Sequence, residues 1–175
     1  MRLDVEDVIA WRRFTVFQGT NGAQVTGKGR RNVAANGTTL GEGKEILRAV
    51  IEEDWSSIAG MDEMAKRVAS NYVHHAFAMD LDFEGFRRGF TGLATGFPGS
   101  RYKIRHLFGD GEMFGALLIV TGTHRGPFGP IAPTGKEVTT QGAYHCRIVE
   151  GKIVEDWEVW ACIPIPRQMG IVLRE

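Results

Sequence analysis

The sequence predicts one α+β domain, in which helices pack on one face of a strongly curved, mainly antiparallel sheet. Apolar residues repeat at helical spacing in segments between residues 43 and 97 and alternate with polar residues in strand-like segments after residue 100. Helices first and antiparallel strands afterwards is the element order of an α+β domain. A length of 175 residues is enough for one domain with a substantial core.

Three helices are expected in the first half of the chain. The first follows Gly43 and ends at Gly60, the second covers 61–68 with Asp62 as a possible N-cap, and the third covers 83–97. An extended segment at 72–76 separates the second helix from the third. The apolar stripes that predict the first and third helices are Ile46, Leu47, Val50, Ile51 and Trp55, and Phe86, Phe90, Leu93 and Phe97.

Four strands are expected in the second half. The segment 101–108 alternates as a half-buried strand does, while 114–120 is continuously apolar and is expected to be covered on both faces. Two longer strands, 138–149 and 152–162, form a hairpin about the Glu150-Gly151 turn. A long loop rich in glycine and proline, between residues 121 and 135, precedes this hairpin and leaves the sheet with a wide mouth.

The composition excludes several classes of function. Acidic and basic residues balance at 21 each, which disfavours a nucleic-acid partner. No apolar run is long enough to span a membrane, and the first residues lack an export signal. Cys146 is expected opposite Glu155 in the hairpin, too far from Cys162 for a disulfide, so a reducing cytoplasm is expected. The five histidines show no metal-ligand spacing, and no metal or cofactor is expected.

The first 41 residues differ from the rest because a glycine-rich run follows a short apolar stretch. Such a run resists packing into a core of its own. We therefore divide the chain into an N-terminal arm (1–41) and a main domain (42–175). The arm is expected to lie against its own domain or against a second subunit.

The last long strand carries the strongest candidate for chemistry. Glu158 lies between Trp157 and Trp160, and a carboxyl group among apolar rings is prepared for proton transfer. The alternative is that the acids of this strand face water, although Trp160 would then share their face. His74 and His75 are adjacent in an extended segment, so only one of the two can face inward.

Several motifs make the chain resemble the SnoaL-like polyketide cyclases, or ester cyclases, of the nuclear transport factor 2-like superfamily. The resemblance runs from about Glu45 to Gly170. The motifs are Gly122-Thr-His-Arg-Gly126, Ile131-Ala-Pro-Thr-Gly135, Arg147-x-x-Glu-Gly-Lys-Ile153, Trp157 and Arg167-Gln-Met-Gly170. The resemblance implies a cone in which helices close one side of a curved sheet around a deep apolar pocket. It also implies intramolecular aldol condensation of a polyketide ester without metal or cofactor.

The resemblance implies roles for particular residues. Glu158 matches the catalytic aspartate of the family's last strand, and Tyr144 matches a pocket histidine, which here is the next residue, His145. His74 matches a further pocket position. The expected pocket lining is Trp55, Phe86, Phe90 and Trp157. A regular two-residue hairpin pairs Tyr144 with Trp157, so Tyr144 and Glu158 would face opposite sides unless a bulge intervenes. The partner of Glu158 is therefore either Tyr144 or His145.

The leading hypothesis is an acid/base enzyme that cyclises a small hydrophobic carbonyl or ester compound. A hydrolase variant is also possible, since relatives of this fold use pocket carboxylates to activate water. The rival hypothesis is a non-catalytic protein of the same fold that binds a hydrophobic ligand or a partner. Cone folds commonly pair through the outer face of the sheet, so a homodimer is expected.

Overall fold

A computed structural model of the protein describes residues 2–3, 37–52, 57–76, 79–161 and 164–173. Some of the predictions above fall on residues outside this described part of the chain: Trp55, Cys162 and arm residues 4–36. The helices are α1 (Leu40–Glu52), α2 (Ile58–Ala65), α3 (Phe83–Gly96) and α4 (Pro164–Gln168). The strands are β1 (Arg2–Leu3), β2 (Val68–His75), β3 (Asp80–Leu81), β4 (Arg101–Asp110), β5 (Met113–Thr123), β6 (Glu137–Val149), β7 (Lys152–Trp160) and β8 (Val172–Leu173).

Six of these strands form one open, mixed sheet in the order β3-β2-β7-β6-β5-β4. The β2–β7 pairing is parallel and every other pairing in this sheet is antiparallel. Register shifts interrupt the β2–β7, β4–β5 and β6–β7 ladders, and such irregularities bend a sheet. Strands β1 and β8 form a separate parallel pair. The predicted fold class, α+β with helices on a mainly antiparallel sheet, is confirmed.

Side-chain caps set where the helices begin. At the start of α1, the Thr39 side chain accepts from the Glu42 N–H at 3.2 Å, while Glu42 accepts from the Thr39 N–H at 2.9 Å. The second helix begins earlier than predicted, because Ser57 rather than Asp62 is its N-cap and accepts from the Gly60 N–H at 3.0 Å. Gly60 therefore lies inside α2 instead of ending the first helix.

Two strand predictions need correction. A register shift between Ile104 and His106 reverses the alternation in β4, so Phe108 faces outward and is 58% exposed. The continuously apolar strand β5 is not covered on both faces, since Leu117 is 37% exposed in the single chain. Its other face is buried, with Leu118 fully enclosed.

The main core lies between the helices and the inner face of the sheet. Leu47, Val50 and Ile51 of α1 are fully buried there, and Phe86 and Phe90 of α3 are nearly so. The helix α1 approaches the sheet closely at Gly43, where an added Cβ would lie 2.0 Å from the ring of Phe114. None of the described helices is long and apolar enough to cross a membrane.

Candidate active site

A bulge in the β6–β7 hairpin decides which residue faces Glu158. Glu150 and Gly151 both adopt positive φ, 50° and 75°, as the tight turn requires. Beyond the turn, Ile148 pairs with Ile153 but Arg147 pairs with Glu155, so Val154 is an extra residue in β7. The register moves by one, and Tyr144 lies directly opposite Glu158. Tyr144 and Glu158 therefore share the inner face of the sheet.

The same shift places two predicted site residues on the outer face. His145 lies opposite Trp157, and their rings stack at 5.1 Å between centroids with a 5° interplanar angle. His75 stacks on the other side of Trp157 at 4.5 Å. The structure thus separates His145 and Trp157 from the inner-face group around Glu158, contrary to their predicted placement. The physical reason is the extra residue in β7, which no regular hairpin pairing anticipates.

Asp156 is the centre of the polar group on the inner face. Its side chain is fully buried and accepts three hydrogen bonds. The Tyr72 hydroxyl donates to Oδ2 at 2.8 Å, the Tyr144 hydroxyl donates to the same oxygen, and His74 Nδ1 lies 2.7 Å from Oδ1. Desolvation, together with the Asp156 charge, raises the pKa of both tyrosine hydroxyls, which keeps them protonated as donors.

His74 is the inward-facing member of the adjacent histidine pair. Desolvation alone would lower the pKa of His74, but the hydrogen bond to Asp156 and the charges of Asp156 and Glu158 outweigh it, and the pKa is raised. Its ring packs on Phe86 at 4.8 Å, and Phe86 packs on Phe90 at 4.7 Å. The two predicted pocket phenylalanines therefore lie against the polar group and hold the imidazole in place.

Glu158 lies two residues beyond Asp156 on the same face of β7. Its Oε2 is buried and has no hydrogen-bond partner among the described residues. Desolvation raises the pKa of Glu158 to about 7, although the His74 charge and the nearby Trp160 indole each lower it. Among the described residues, no Arg or Lys forms an ion pair with Glu158, so no neighbouring cation of that kind opposes the effect of desolvation on its pKa.

Asp156 and Tyr72 were not predicted as site residues. The available signal was the i, i+2 spacing of Asp156 and Glu158, which places both acids on one face of a strand. Tyr72 gave a weaker signal, two residues before His74 in an extended segment. Across the residues that the structure describes, no three His, Cys, Asp or Glu side chains are grouped as a metal site would require.

Comparison with known proteins assigns the family. The model of the SnoaL-like polyketide cyclase family matches residues 44–169, and the chain belongs to that family. The comparison with curated proteins gives no match.

Solved structures share the fold at low sequence identity. A candidate SnoaL-like polyketide cyclase from Jannaschia sp. CCS1 is 16% identical with a TM-score of 0.68, covering 82% of this chain and 97% of its own. AclR, a candidate hydroxylase from Streptomyces galilaeus, is 23% identical with a TM-score of 0.67, covering 75% and 83%. IdmH, a candidate polyketide cyclase from Streptomyces antibioticus, is 19% identical with a TM-score of 0.65, covering 73% and 98%. At these identities the likeness shows the fold alone.

Proposed function

We propose that the protein is a polyketide cyclase-like enzyme that performs cofactor-free, aldol-type cyclisation of a small hydrophobic carbonyl or ester compound. The observation that carries the proposal is the Glu158 carboxyl group, buried on the inner face with an unpartnered oxygen and a pKa of about 7. A carboxyl group with a pKa near the working pH can both accept and return a proton. The family's name and the names of its structural neighbours support the reaction class.

Glu158 is the group that moves the proton in this mechanism. Its carboxylate removes a proton from the carbon next to a substrate carbonyl, and the C–H electron pair becomes the double bond of an enolate. The enolate carbon then attacks a second carbonyl of the same molecule, which forms the ring's C–C bond. The new alkoxide takes the proton back from Glu158, so the carboxylate is restored and no external reactant is needed.

Asp156 positions the surrounding groups and does not exchange protons with substrate in this scheme. Its three hydrogen bonds hold His74, Tyr72 and Tyr144 in one arrangement. His74, with its raised pKa, supplies positive charge near Glu158. That charge stabilises the carboxylate before the reaction and the negative charge on the substrate after proton removal.

The first experiment compares turnover by the native protein and by Glu158→Gln, using a panel of polyketide esters and related β-dicarbonyl compounds. Glutamine keeps the shape of the side chain but cannot titrate, and loss of one general acid/base costs ~100- to 10,000-fold in rate. Cyclised product is measured by liquid chromatography and mass spectrometry. The matched control is Glu155→Gln, because Glu155 lies on the same strand but pairs with Arg147 and His75 on the outer face.

The outcomes separate the alternatives. Full turnover by Glu158→Gln would remove the catalytic assignment. Hydrolysed ester without ring closure would favour the hydrolase variant. Saturable binding without any product from the native protein would favour a non-catalytic ligand-binding protein.

We further propose that the protein works as a homodimer in the cytoplasm. The support for the dimer is an exposed apolar area on the outer face of the sheet, where Phe108, Leu117 and Val159 are 58%, 37% and 44% exposed. Leu117 and Val159 flank Ala143 in one cross-strand row, so the area is continuous over three strands. A second copy would cover this area through the same face. The cytoplasmic location is supported by the cysteine usage alone.

A further inference from the structure

Two buried polar atoms on the inner face of β7 have no hydrogen-bond partner among the described residues: Glu158 Oε2 and Trp160 Nε1. Side chains two residues apart on a strand point to the same face, so the two groups are neighbours. A buried polar group without a hydrogen-bond partner destabilises the folded protein. Two such groups side by side, one of them the proposed acid/base, indicate a place where a ligand's polar atoms complete the bonding.

The indole of Trp160 is held in a defined position. It lies across strand β6 at Gly142, the residue directly opposite, where an added Cβ would be 2.1 Å from the ring's Cε3. The ring of Tyr102 meets it edge-on at 6.3 Å between centroids. A glycine at position 142 is therefore required for the indole to lie flat on the sheet and to present its N–H beside Glu158.

Three other hydrogen-bond donors of this group already have an acceptor. The hydroxyls of Tyr72 and Tyr144 and the Nδ1 of His74 are all directed to Asp156. The Trp160 N–H approaches the Glu158 carboxyl group closely enough to lower its pKa as a hydrogen-bond donor would, but the contact does not reach the distance and angle of a hydrogen bond. This donor thus remains available for an acceptor atom that is also in reach of the Glu158 carboxyl group.

We propose that Trp160 is a catalytic residue whose indole N–H donates a hydrogen bond to the substrate carbonyl oxygen next to the carbon that Glu158 deprotonates. This inference rests on the proposed function. When Glu158 takes the proton, the C–H electron pair moves into the new C=C bond and the carbonyl π pair moves onto oxygen. The hydrogen bond from Trp160 is then made to a developing oxyanion and becomes stronger. The ligand class that fits is a hydrophobic β-keto ester or another 1,3-dicarbonyl.

The test uses ethyl 2-benzylacetoacetate, a hydrophobic β-keto ester with one proton between its two carbonyl groups. Binding is measured by calorimetry for the native protein and for Trp160→Phe, which removes the N–H. A hydrogen bond to a charged or developing-charge group is worth about 1.5–3 kcal/mol. Deuterium exchange at the carbon between the carbonyls is followed by proton NMR, and we therefore expect a ~10- to 150-fold lower exchange rate in Trp160→Phe, with a smaller loss of affinity. Butylbenzene, which carries no oxygen, should bind both proteins equally.

A second variant separates the N–H from the ring's bulk. Placing β-(3-benzothienyl)alanine at position 160 keeps the bicyclic shape, so this variant should fold as the native protein does while still losing the rate. Gly142→Ala, which keeps the N–H but displaces the ring, should show a comparable loss.

Different failures point to different conclusions. If the benzothienyl variant retains the native exchange rate and affinity, Trp160 has no catalytic role. The proposed function would still stand in that case, provided that the native protein accelerates deuterium exchange. A variant whose only change is a higher apparent pKa in the pH–rate profile would show that the indole merely tunes Glu158, which also overturns the proposal. Absence of binding and exchange in the native protein would overturn both the proposal and the function on which it rests.

Discussion

Removal of the Asp156 carboxylate should destabilise the protein far more than removal of a surface carboxylate. Asp156→Ala leaves three buried donors, the Tyr72 and Tyr144 hydroxyls and His74 Nδ1, without their acceptor. Each orphaned donor costs about 1–3 kcal/mol, and breaking a buried charged pair typically costs 3–5 kcal/mol in total. We expect a loss of about 3–5 kcal/mol in the free energy of unfolding, because water entering the space offsets part of the sum.

The matched control is Asp80→Ala. Asp80 also pairs with a histidine, His75 Nδ1 at 2.9 Å, but its side chain is 68% exposed. An exposed pair of this kind contributes about 0–1 kcal/mol. Asp156→Asn provides an intermediate case: the amide can still accept from one donor, and the phenol oxygens can turn to accept from its NH2 group. This variant should lose less than Asp156→Ala.

Unfolding in urea at pH 7, followed by circular dichroism at one fixed protein concentration, gives the free energies by linear extrapolation. In thermal unfolding, the same change corresponds to a fall in Tm of roughly 6–20 °C for a domain of this size. If Asp156→Ala stays within 1 kcal/mol of the native protein, or if Asp80→Ala costs as much, the buried network does not hold the site together as described.

Three further predictions concern pH and assembly. The kcat/KM for cyclisation should rise with pH through an apparent pKa near 7, since Glu158 acts first as a base; a flat profile from pH 5 to 9 would contradict this. The folded-state pKa of Glu158 lies above its ordinary value of 4.5, so the native state binds this proton more tightly than the unfolded state does. The contribution of the Glu158 carboxyl group to stability therefore falls as pH rises from about 4.5 to about 7. Urea titrations at pH 5 and pH 8 give the free energies of unfolding of the native protein and of Glu158→Gln. The variant should be more stable relative to the native protein at pH 8 than at pH 5, and an equal difference at both pH values would argue against the raised pKa. Leu117→Lys should convert the proposed dimer to a particle of one-chain mass, 19.4 kDa, in light scattering, whereas a native protein already at that mass would exclude the dimer.

The fold was predictable because its main signals are periodic. Local residue spacing alone predicts three features: the helical stripe of α1, the phenylalanines of α3 and the alternation in the hairpin strands. This spacing is the same in the sequence and in the folded element. The ends of elements were less predictable where a side chain makes the cap, as Ser57 does for α2. Nothing in the spacing of residues 57–62 distinguishes Ser57 from Asp62 as the capping residue.

The candidate site was predictable only in part, because a one-residue bulge exchanges the two faces of a strand. The acidic character of β7 pointed to Glu158, and adjacency pointed to one inward histidine, which the structure shows to be His74. Val154 is an extra residue because of how β7 pairs with β2 on one side and with β6 on the other. No local sequence pattern predicts the position of this bulge. As a consequence, the sequence left Tyr144 and His145 as alternatives and did not single out Asp156.

Proton transfer by Glu158 is the step on which the proposed cyclisation depends. The measurement is deuterium exchange at the carbon between the two carbonyls of ethyl 2-benzylacetoacetate in D2O, followed by proton NMR with native protein, Glu158→Gln and Glu155→Gln. This assay records the first chemical step even if no ring closes on this compound. It also compares two carboxylates of the same strand that lie on opposite faces of the sheet.

We predict that the native protein and Glu155→Gln accelerate the exchange equally above the buffer rate, and that Glu158→Gln reduces this acceleration by ~100-fold or more. Equal acceleration by Glu158→Gln and the native protein would contradict the assignment of Glu158 as the group that moves the proton.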